Sequence, residues 1–196
     1  MKILLATHNP AKIKSYTQKL DGLGIDFMTL NDLGITERFT EDKNTFEENA
    51  RDKAFFYYGL AKMPTIAEDG GFEIDYLNKE PGVKSRRWLG FEATDQQIVA
   101  RLHEVIPAIP QDQRTARFVA VTCFIKDPER VYLIRNTKEG CVTEDIRETF
   151  PAGFPYRSCF VSGVFNKHVE DLTEEETLTI SHRFKNIQEL KKYLLN

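Results

Sequence analysis

The chain has 196 residues, of which 41% are hydrophobic and 29% charged, a composition that excludes a disordered or fibrous protein. Its 27 basic and 30 acidic residues are interspersed and give a formal net charge of −3, which argues against a nucleic-acid polymer as partner, because such binding needs clustered Lys and Arg. Three widely spaced cysteines and a short apolar N-terminus indicate no disulfide framework, zinc site, signal peptide or membrane span, so we expect a cytoplasmic protein with no membrane partner.

The first predicted elements are a strand and a helix. Ile3–Ala6 has the composition of a short buried strand, and Asn9 followed by Pro10 is typical of a helix N-cap and first helical position. The helix would bury a stripe formed by Ile13, Tyr16 and Leu20, and end near Gly22.

The second predicted helix covers residues 49–62. It follows a capping-box pattern that begins at Thr45 and includes Glu48, and Pro64 would stop it. The next residues, Thr65–Glu68, predict a short strand.

The dipeptide Gly70-Gly71 is predicted to turn this strand back on itself. Beyond it, apolar and acidic residues alternate over Phe72–Leu77, so the pattern predicts a hairpin. Further on, the sequence predicts a helix over Thr94–Val105, strands over Ala116–Ile125 and Val131–Asn136, and a short amphipathic helix over Ile187–Leu195. Strands mixed with helices in this order predict an α/β fold with a mixed sheet.

The turn from Thr7 to Lys12 is the first candidate site. A strand that leads straight into a helix leaves N–H groups beside the positive end of the helix dipole, where anions bind. Lys12 adds a full charge, and Thr7 and Asn9 add neutral donors. An ordinary capped helix with a solvated lysine explains the same residues equally well.

Paired acids form the second candidate site. Glu68 and Asp69 end a predicted strand, where α/β proteins place ligands, and one could hold Mg²⁺ while the other activates water. A polar turn is the alternative. Of two further acids, Glu48 has a structural role in the capping box, so Glu41 is the better candidate for a second metal ligand.

Dispersed basic residues and one aromatic turn complete the candidates. The basic residues are Lys53, Lys84, Arg86, Arg87, His182, Arg183 and Lys185, and solvated surface is the better explanation for each of them considered alone. The turn Gly153-Phe154-Pro155-Tyr156 could stack on a base, or fill the core.

Six segments in order resemble the Ham1/inosine triphosphatase family of noncanonical purine nucleoside-triphosphate pyrophosphatases. They are Ala6-Thr-His-Asn-Pro-Ala-Lys12, Thr45-Phe-Glu-Glu-Asn-Ala-Arg-Asp-Lys-Ala54, Ala67-Glu-Asp-Gly-Gly71, Pro81-Gly-Val-Lys-Ser-Arg86, Arg114-Thr-Ala-Arg-Phe118 and Ser181-His-Arg183. Each motif is weak alone, but the ordered set covers nearly the whole chain.

The resemblance implies a single ITPase-like domain over residues 1–196: an elongated, two-lobed α/β fold with a central mixed sheet, a nucleotide cleft and a homodimer. It implies Mg²⁺-dependent hydrolysis of ITP, dITP or XTP to the monophosphate and pyrophosphate. Thr7, Asn9, Lys12 and Lys53 would hold the triphosphate, and Arg86 or Arg87 would add positive charge for the phosphates. His8 and Gly70 are further implied substrate-binding residues, and Lys53 is also counted among the catalytic residues. Asp69 would be the general base and a metal ligand with Glu41, and Glu68 and Glu48 would assist nearby. His182 and Arg183 would read the O6 edge of the purine, with Phe154, Tyr156 and Arg157 in the base-binding loop.

The base-binding loop departs from the family pattern, which has Asp-Pro where this chain has Arg157-Ser158. A guanidinium only donates hydrogen bonds, whereas a carboxylate only accepts them, so we expect Arg157 to face an acceptor edge such as O6/N7. The family also has Lys-Asn near the position of Thr177-Leu178, and a hydroxyl residue at Gly70.

Two alternatives remain open at this point. The altered loop would suit a pyrophosphatase for a standard or otherwise modified nucleotide. A non-catalytic nucleotide-binding protein could use the same fold, but it would have no need of a water-activating acid.

Overall fold

The computed structural model describes residues 1–195 and contains both strands and helices within that range. The strands are β1 Lys2–Leu5, β2 Asp26–Thr29, β3 Thr65–Ile74, β4 Pro81–Gly82, β5 Thr115–Asp127, β6 Arg130–Val142 and β7 Phe160–Ser162. The α-helices are α1 Pro10–Lys19, α2 Phe46–Ala61, α3 Asp95–Val105, α4 Glu174–Thr179 and α5 His182–Leu194. Short 3₁₀ segments include Asp75–Leu77 and Pro155–Cys159.

The sheet confirms the predicted mixed α/β class. Its strand order is β2-β1-β3-β5-β6-β7, with β4 beside β3. Strand β1 runs parallel to β2 and β3, whereas β4 pairs antiparallel with β3 and β7 pairs antiparallel with β6. Parallel pairing sets Leu5, the last residue of β1, opposite Ile66, the second residue of β3, so both strands lead from the same level of the sheet into candidate site residues.

The predicted hairpin at Gly70-Gly71 is wrong, because β3 is one continuous strand of ten residues. Its first half pairs with β1 (Leu5 with Ile66), and its second half pairs with β4 (Phe72 with Gly82). Neighbours at both ends keep the strand extended, and neither glycine has a positive φ. The glycines instead place two positions without side chains immediately after Asp69.

The three main helix starts follow from local capping signals. Asn9 caps α1, Thr45 caps α2, and Thr94 forms a reciprocal capping box with Gln97 at the start of α3. The last helix begins at His182, five residues before its predicted start, so a predicted base-binding residue occupies its first position.

The chain folds as two compact units, each with its own core. The first unit comprises residues 1–70, 120–136 and 183–195, and the second comprises Gly71–Val119 and Thr137–His182. In the first, buried side chains of β1, α1, β3, β5, β6 and α5 pack together, among them Leu5, Tyr16 and Phe124. In the second, an aromatic cluster around Phe72 and Phe160 forms the core. Within residues 1–195, no helix combines the length and apolar character needed to cross a bilayer.

Candidate functional site

The turn between β1 and α1 is a satisfied helix cap. Asn9 Oδ1 accepts hydrogen bonds from the backbone N–H groups of Ala11 (2.9 Å) and Lys12 (3.3 Å), and Thr7 Oγ1 accepts one from Asn9 N (3.1 Å). We expected N–H groups open to an anion at this turn, but those of Asn9, Ala11 and Lys12 are already paired. An anion at this turn would have to displace side-chain oxygens, while His8 is exposed beside it.

Two lysines from different helices converge on one carbonyl oxygen in β3. Lys12 Nζ lies 3.2 Å and Lys53 Nζ lies 3.1 Å from the backbone oxygen of Glu68. Lys53 also pairs with Glu41 at 2.6 Å, and Lys12 pairs with the Glu68 carboxylate at 3.2 Å. The two lysine side chains are only 17% and 13% exposed. Positive charges so shielded from water attract a polyphosphate more strongly than surface lysines do.

Asp69 is a buried carboxylate with one unused oxygen. Its Oδ1 accepts a hydrogen bond from Gly70 N at 2.8 Å, whereas Oδ2 is buried and has no hydrogen-bond partner within residues 1–195. Burial, reinforced by the negative charge of Glu41, raises the pKa of Asp69 to about 6, although Lys12 and Lys53 act in the opposite direction. A carboxylate of this kind accepts a proton near neutral pH more readily than an exposed one.

Glu41 is placed better than Glu48 to share a ligand with Asp69. The negative charge of Glu41 acts on Asp69, whereas Glu48 is exposed and its carboxylate accepts the Thr45 hydroxyl at 2.9 Å in the α2 cap. Residues 1–195 contain no cluster of three or more His, Cys, Asp and Glu side chains suited to a metal. Mg²⁺ commonly takes one or two carboxylates plus water and phosphate oxygens, so Glu41 and the unused Asp69 oxygen fit its donor set.

Glu68 is buried and forms an ion pair with Arg183, whose side chain is 20% exposed. The carboxylate is 2% exposed and receives Arg183 Nε at 3.0 Å on Oε2 and Arg183 Nη2 at 3.0 Å on Oε1. This two-pronged geometry is the strong form of an arginine–carboxylate contact. The structure thus brings Glu68 and Arg183 together, and it directs two N–H groups of Arg183 to this carboxylate. The family resemblance instead implied that this arginine binds the O6 edge of the purine.

In the second unit, Asp95 connects two segments of the predicted site. Its Oδ1 accepts from Arg86 Nη1 at 2.5 Å, and its Oδ2 accepts from Gly153 N at 2.7 Å. Asp95 is the first residue of α3, where a carboxylate is favoured by the helix dipole. The exposed Arg86 and the aromatic turn are therefore held by one side chain that the sequence did not single out.

Within the aromatic turn, Tyr156 belongs to the core. It is 5% exposed, its ring stacks on Phe72 with centroids 5.0 Å apart, and its hydroxyl donates to the backbone oxygen of Ser85 at 2.6 Å. Tyr156 therefore fills the core, which was the alternative interpretation of this turn, because a ring covered in this way cannot stack on a base. Phe154, two residues earlier, is half-buried.

Arg157 donates to a protein carboxylate. Its Nε lies 2.7 Å from Glu170 Oε1, and both side chains are about one-fifth exposed. We expected Arg157 to face a hydrogen-bond acceptor of the base, whereas its Nε is paired with Glu170. His182 lies at the start of α5, its ring 6.0 Å from that of Phe118.

Besides Asp95, the residues that sequence reasoning missed are polar groups inside the first unit. Tyr16 was predicted only as part of a buried stripe, yet its hydroxyl contacts both Glu68 and Thr122. Asn186 is fully buried and contacts Thr122 as well. An asparagine among the apolar residues of an amphipathic helix was the available signal, because such a group needs partners.

Comparison with known proteins gives a consistent result over the whole chain. A family model described as the Ham1 family matches residues 3–193. The dITP/XTP pyrophosphatase of Bacillus subtilis (strain 168) is 34% identical over 191 residues, which is 97% of this chain and 96% of that protein. The dITP/XTP pyrophosphatase of Escherichia coli (strain K12) is 34% identical over 197 residues, 100% and 98% of the two chains.

Solved structures agree with this comparison. A HAM1 protein from Coxiella burnetii superposes with a TM-score of 0.88 at 27% identity, covering 99% of this chain and 98% of the other. A nucleoside-triphosphatase / dITP/XTP pyrophosphatase from Mycobacterium abscessus superposes with a TM-score of 0.81 at 30% identity, covering 97% and 98%. The similarity therefore extends over both units.

Proposed function

Since the chain belongs to the Ham1 family, we propose that it hydrolyses noncanonical purine nucleoside triphosphates (ITP, dITP and XTP) to the monophosphate and pyrophosphate. The relatives named dITP/XTP pyrophosphatase support this substrate class. The observation that carries the proposal is Asp69, a buried carboxylate with an unused oxygen, set beside Lys12 and Lys53. A desolvated acid beside these lysines weakens phosphate binding, because a carboxylate repels phosphate, so its presence favours a catalytic role over simple binding.

Asp69 is proposed to orient and deprotonate the attacking water through Oδ2. Its raised pKa suits it to accept a proton near neutral pH, and the Gly70 N–H fixes the other oxygen of the carboxylate. Lys12 and Lys53 would hold the phosphate oxygens, assisted by groups of the capped turn. Phosphoryl transfer needs mainly positioning and charge stabilisation, which desolvated lysines supply.

Glu41 and Asp69 would hold Mg²⁺ when it is bound. The ion would neutralise phosphate charge and help to align the triphosphate with water. Glu41 also pairs with Lys53 at 2.6 Å, so this carboxylate would place a phosphate-binding cation in addition to serving the ion. Glu68 is a poor ligand candidate, because its carboxylate oxygens already receive Arg183 and Lys12.

Base recognition is proposed to depend on His182 and Phe154, with Arg86 as an additional phosphate or base contact. Tyr156 would act as a structural support of the loop. Arg157, paired with Glu170, would brace the loop from behind. This arrangement keeps the noncanonical purines as the first choice of substrate. A selectivity for some other nucleotide, which the altered loop sequence favours, is tested by the same experiment.

Pyrophosphate release across a nucleotide panel tests the function. The panel should contain dITP, XTP, GTP, ATP and a pyrimidine triphosphate, each with Mg²⁺ and with a chelator. We expect kcat/KM to be highest for dITP and XTP, and turnover to disappear in chelator. Equal kcat/KM for all purines and pyrimidines would contradict the substrate assignment, and turnover unaffected by chelation would contradict the role of Mg²⁺. The single-domain description, the homodimer and the cytoplasmic location stay predictions, of which light scattering in solution tests the homodimer.

A further inference from the structure

A chain of polar side chains, all buried except the half-buried Asn136, leads to Glu68 inside the first unit. Glu68 Oε2 receives the Tyr16 hydroxyl at 3.0 Å, and the Tyr16 hydroxyl also lies 2.8 Å from Thr122 Oγ1. Thr122 Oγ1 in turn lies 3.0 Å from Asn186 Nδ2. Asn186 Oδ1 accepts from Asn136 Nδ2 at 2.9 Å. Four side chains from four elements are therefore linked end to end and finish on one carboxylate.

The donors and acceptors in this chain have only one consistent direction. Asn186 Nδ2 donates its two hydrogens to Thr122 Oγ1 and to the Ala120 carbonyl oxygen, both at 3.0 Å. The Glu68 carboxylate, ionised in its pair with Arg183, can only accept hydrogen bonds. The single hydroxyl hydrogen of Tyr16 is therefore donated to Glu68. Thr122 must therefore supply the hydrogen between the two hydroxyl groups. Each bond polarises the next, and all of them favour negative charge on Glu68.

The anion at the end of the chain organises the cations of the candidate site. The carboxylate binds Arg183 through Nε and Nη2 and Lys12 through Nζ, while the backbone oxygen of the same residue accepts from Lys12 and Lys53. Glu68, Thr122 and Asn186 are at most 2% exposed, so water cannot replace a missing partner easily. If Glu68 shifted, Lys12 and Arg183 would lose their fixed positions with it.

We propose that Tyr16, supported by Thr122, is a positioning residue: it fixes the Glu68 carboxylate so that Lys12 is preorganised for the triphosphate. This inference rests on the proposed function of the site. It assigns Tyr16 no contact with substrate. The Tyr16 hydroxyl, more than fifty residues from Glu68 in sequence, thereby affects nucleotide binding through the Glu68 carboxylate, which does not itself bind the nucleotide.

The test is a set of single-hydroxyl variants. Tyr16→Phe removes the donor to Glu68 and keeps the ring, and Thr122→Val removes the donor to Tyr16 and keeps the shape. A lost hydrogen bond to a charged group predicts a fall in kcat/KM for dITP of roughly 10-fold in Tyr16→Phe, expressed mainly as a higher KM. Thr122→Val should show a smaller fall, and Thr122→Ser should restore the wild-type value, because it keeps the hydroxyl. Tyr132→Phe, which removes a tyrosine hydroxyl in the same core cluster, is the matched control.

Two outcomes would overturn the proposal. In the first, Tyr16→Phe and Thr122→Val lower the melting temperature but keep wild-type KM and kcat, which is the result of a purely structural role. In the second, Tyr132→Phe raises KM as much as Tyr16→Phe does. Thr122→Val and Thr122→Ser keep the test decisive if Tyr16→Phe does not fold.

Binding of dITP by calorimetry, measured on the same variants, separates this proposal from the proposed function. A wild type without turnover would refute the function, whereas unchanged dITP affinity in Tyr16→Phe and Thr122→Val would refute the positioning role.

Discussion

Replacing Asp69 with asparagine should abolish catalysis and at the same time stabilise the metal-free protein. The pKa of Asp69 is raised from 3.8 to about 6 in the folded state, a difference of roughly two units. At about 1.4 kcal/mol per unit, the ionised carboxylate lowers the free energy of unfolding by about 3 kcal/mol at pH 8. Asparagine keeps an oxygen for the Gly70 N–H and carries no charge, so it should remove that penalty.

The destabilisation of the folded protein by the ionised Asp69 carboxylate depends on pH. Above pH 6 both folded and unfolded chains carry the charge, and the full penalty is present. As the pH falls below 6, the folded protein takes up a proton first, so the penalty shrinks to about 1.5 kcal/mol at pH 5 and disappears below about pH 4. The advantage of Asp69→Asn over wild type should follow the same curve.

Urea denaturation in the presence of a chelator, at pH 8 and at pH 5, measures the difference. Asp32→Asn is the matched control, because hydrogen bonds from Thr29 lower the pKa of that exposed carboxyl, so its loss should not stabilise the protein. An Asp69→Asn protein that is less stable than wild type at pH 8, or an advantage that is equal at both pH values, would refute the reasoning. So would a variant that retains turnover.

Three further predictions follow from the same contacts. Lys53→Gln should raise KM for nucleoside triphosphates at least 10-fold while leaving the folded state intact, and steady-state kinetics with circular dichroism would check it; unchanged KM would remove Lys53 from the phosphate site. Glu68→Gln removes the counter-charge of an Arg183 side chain that is only 20% exposed, so it should lower the free energy of unfolding by about 3 kcal/mol, and a urea titration that finds less than 1 kcal/mol would contradict the shielded ion pair. Arg157→Gln should change the ratio of kcat/KM for dITP over ATP by less than about threefold, because the guanidinium is engaged by Glu170; a much larger change would restore a base-reading role for Arg157.

The parts of the fold that the sequence predicts well are those governed by neighbouring residues. The start of α1 at Pro10 follows from Asn9, and the start of α3 follows from Thr94 and its partner three residues on. These caps satisfy backbone groups within one turn, so a short window of sequence contains all the information. The same holds for the end of α2, where Lys62 takes a left-handed conformation shortly before Pro64.

The predicted hairpin at Gly70-Gly71 failed for the opposite reason. Asp-Gly and Gly-Gly are turn signals only where no partner keeps the chain extended. In this fold, β1 pairs with the strand before the glycines and β4 pairs with it after them. Strand pairing is a long-range property, and it overrode the local preference.

The candidate site shows the same difference between features that neighbouring residues determine and features that depend on tertiary contacts. The acids Glu68 and Asp69 and the lysines Lys12 and Lys53 carry charge, and charged residues after a strand or in a first helical turn are visible in a sequence. Which of them contact each other is not visible. The hydroxyl of Tyr16 meets partners 52 and 106 residues away, so its role depends on tertiary contacts. The pairing of Arg157 with Glu170 likewise could not be anticipated from the loop sequence alone.

The central claim is that Asp69 performs hydrolysis at a triphosphate site. The most direct measurement is product analysis by ion-exchange chromatography for dITP incubated with wild type and with Asp69→Asn, together with the dITP affinity of both proteins. We expect equimolar dIMP and pyrophosphate from wild type, and bound but intact dITP with Asp69→Asn. Release of inorganic phosphate with dIDP, or equal turnover by the two proteins, would contradict it.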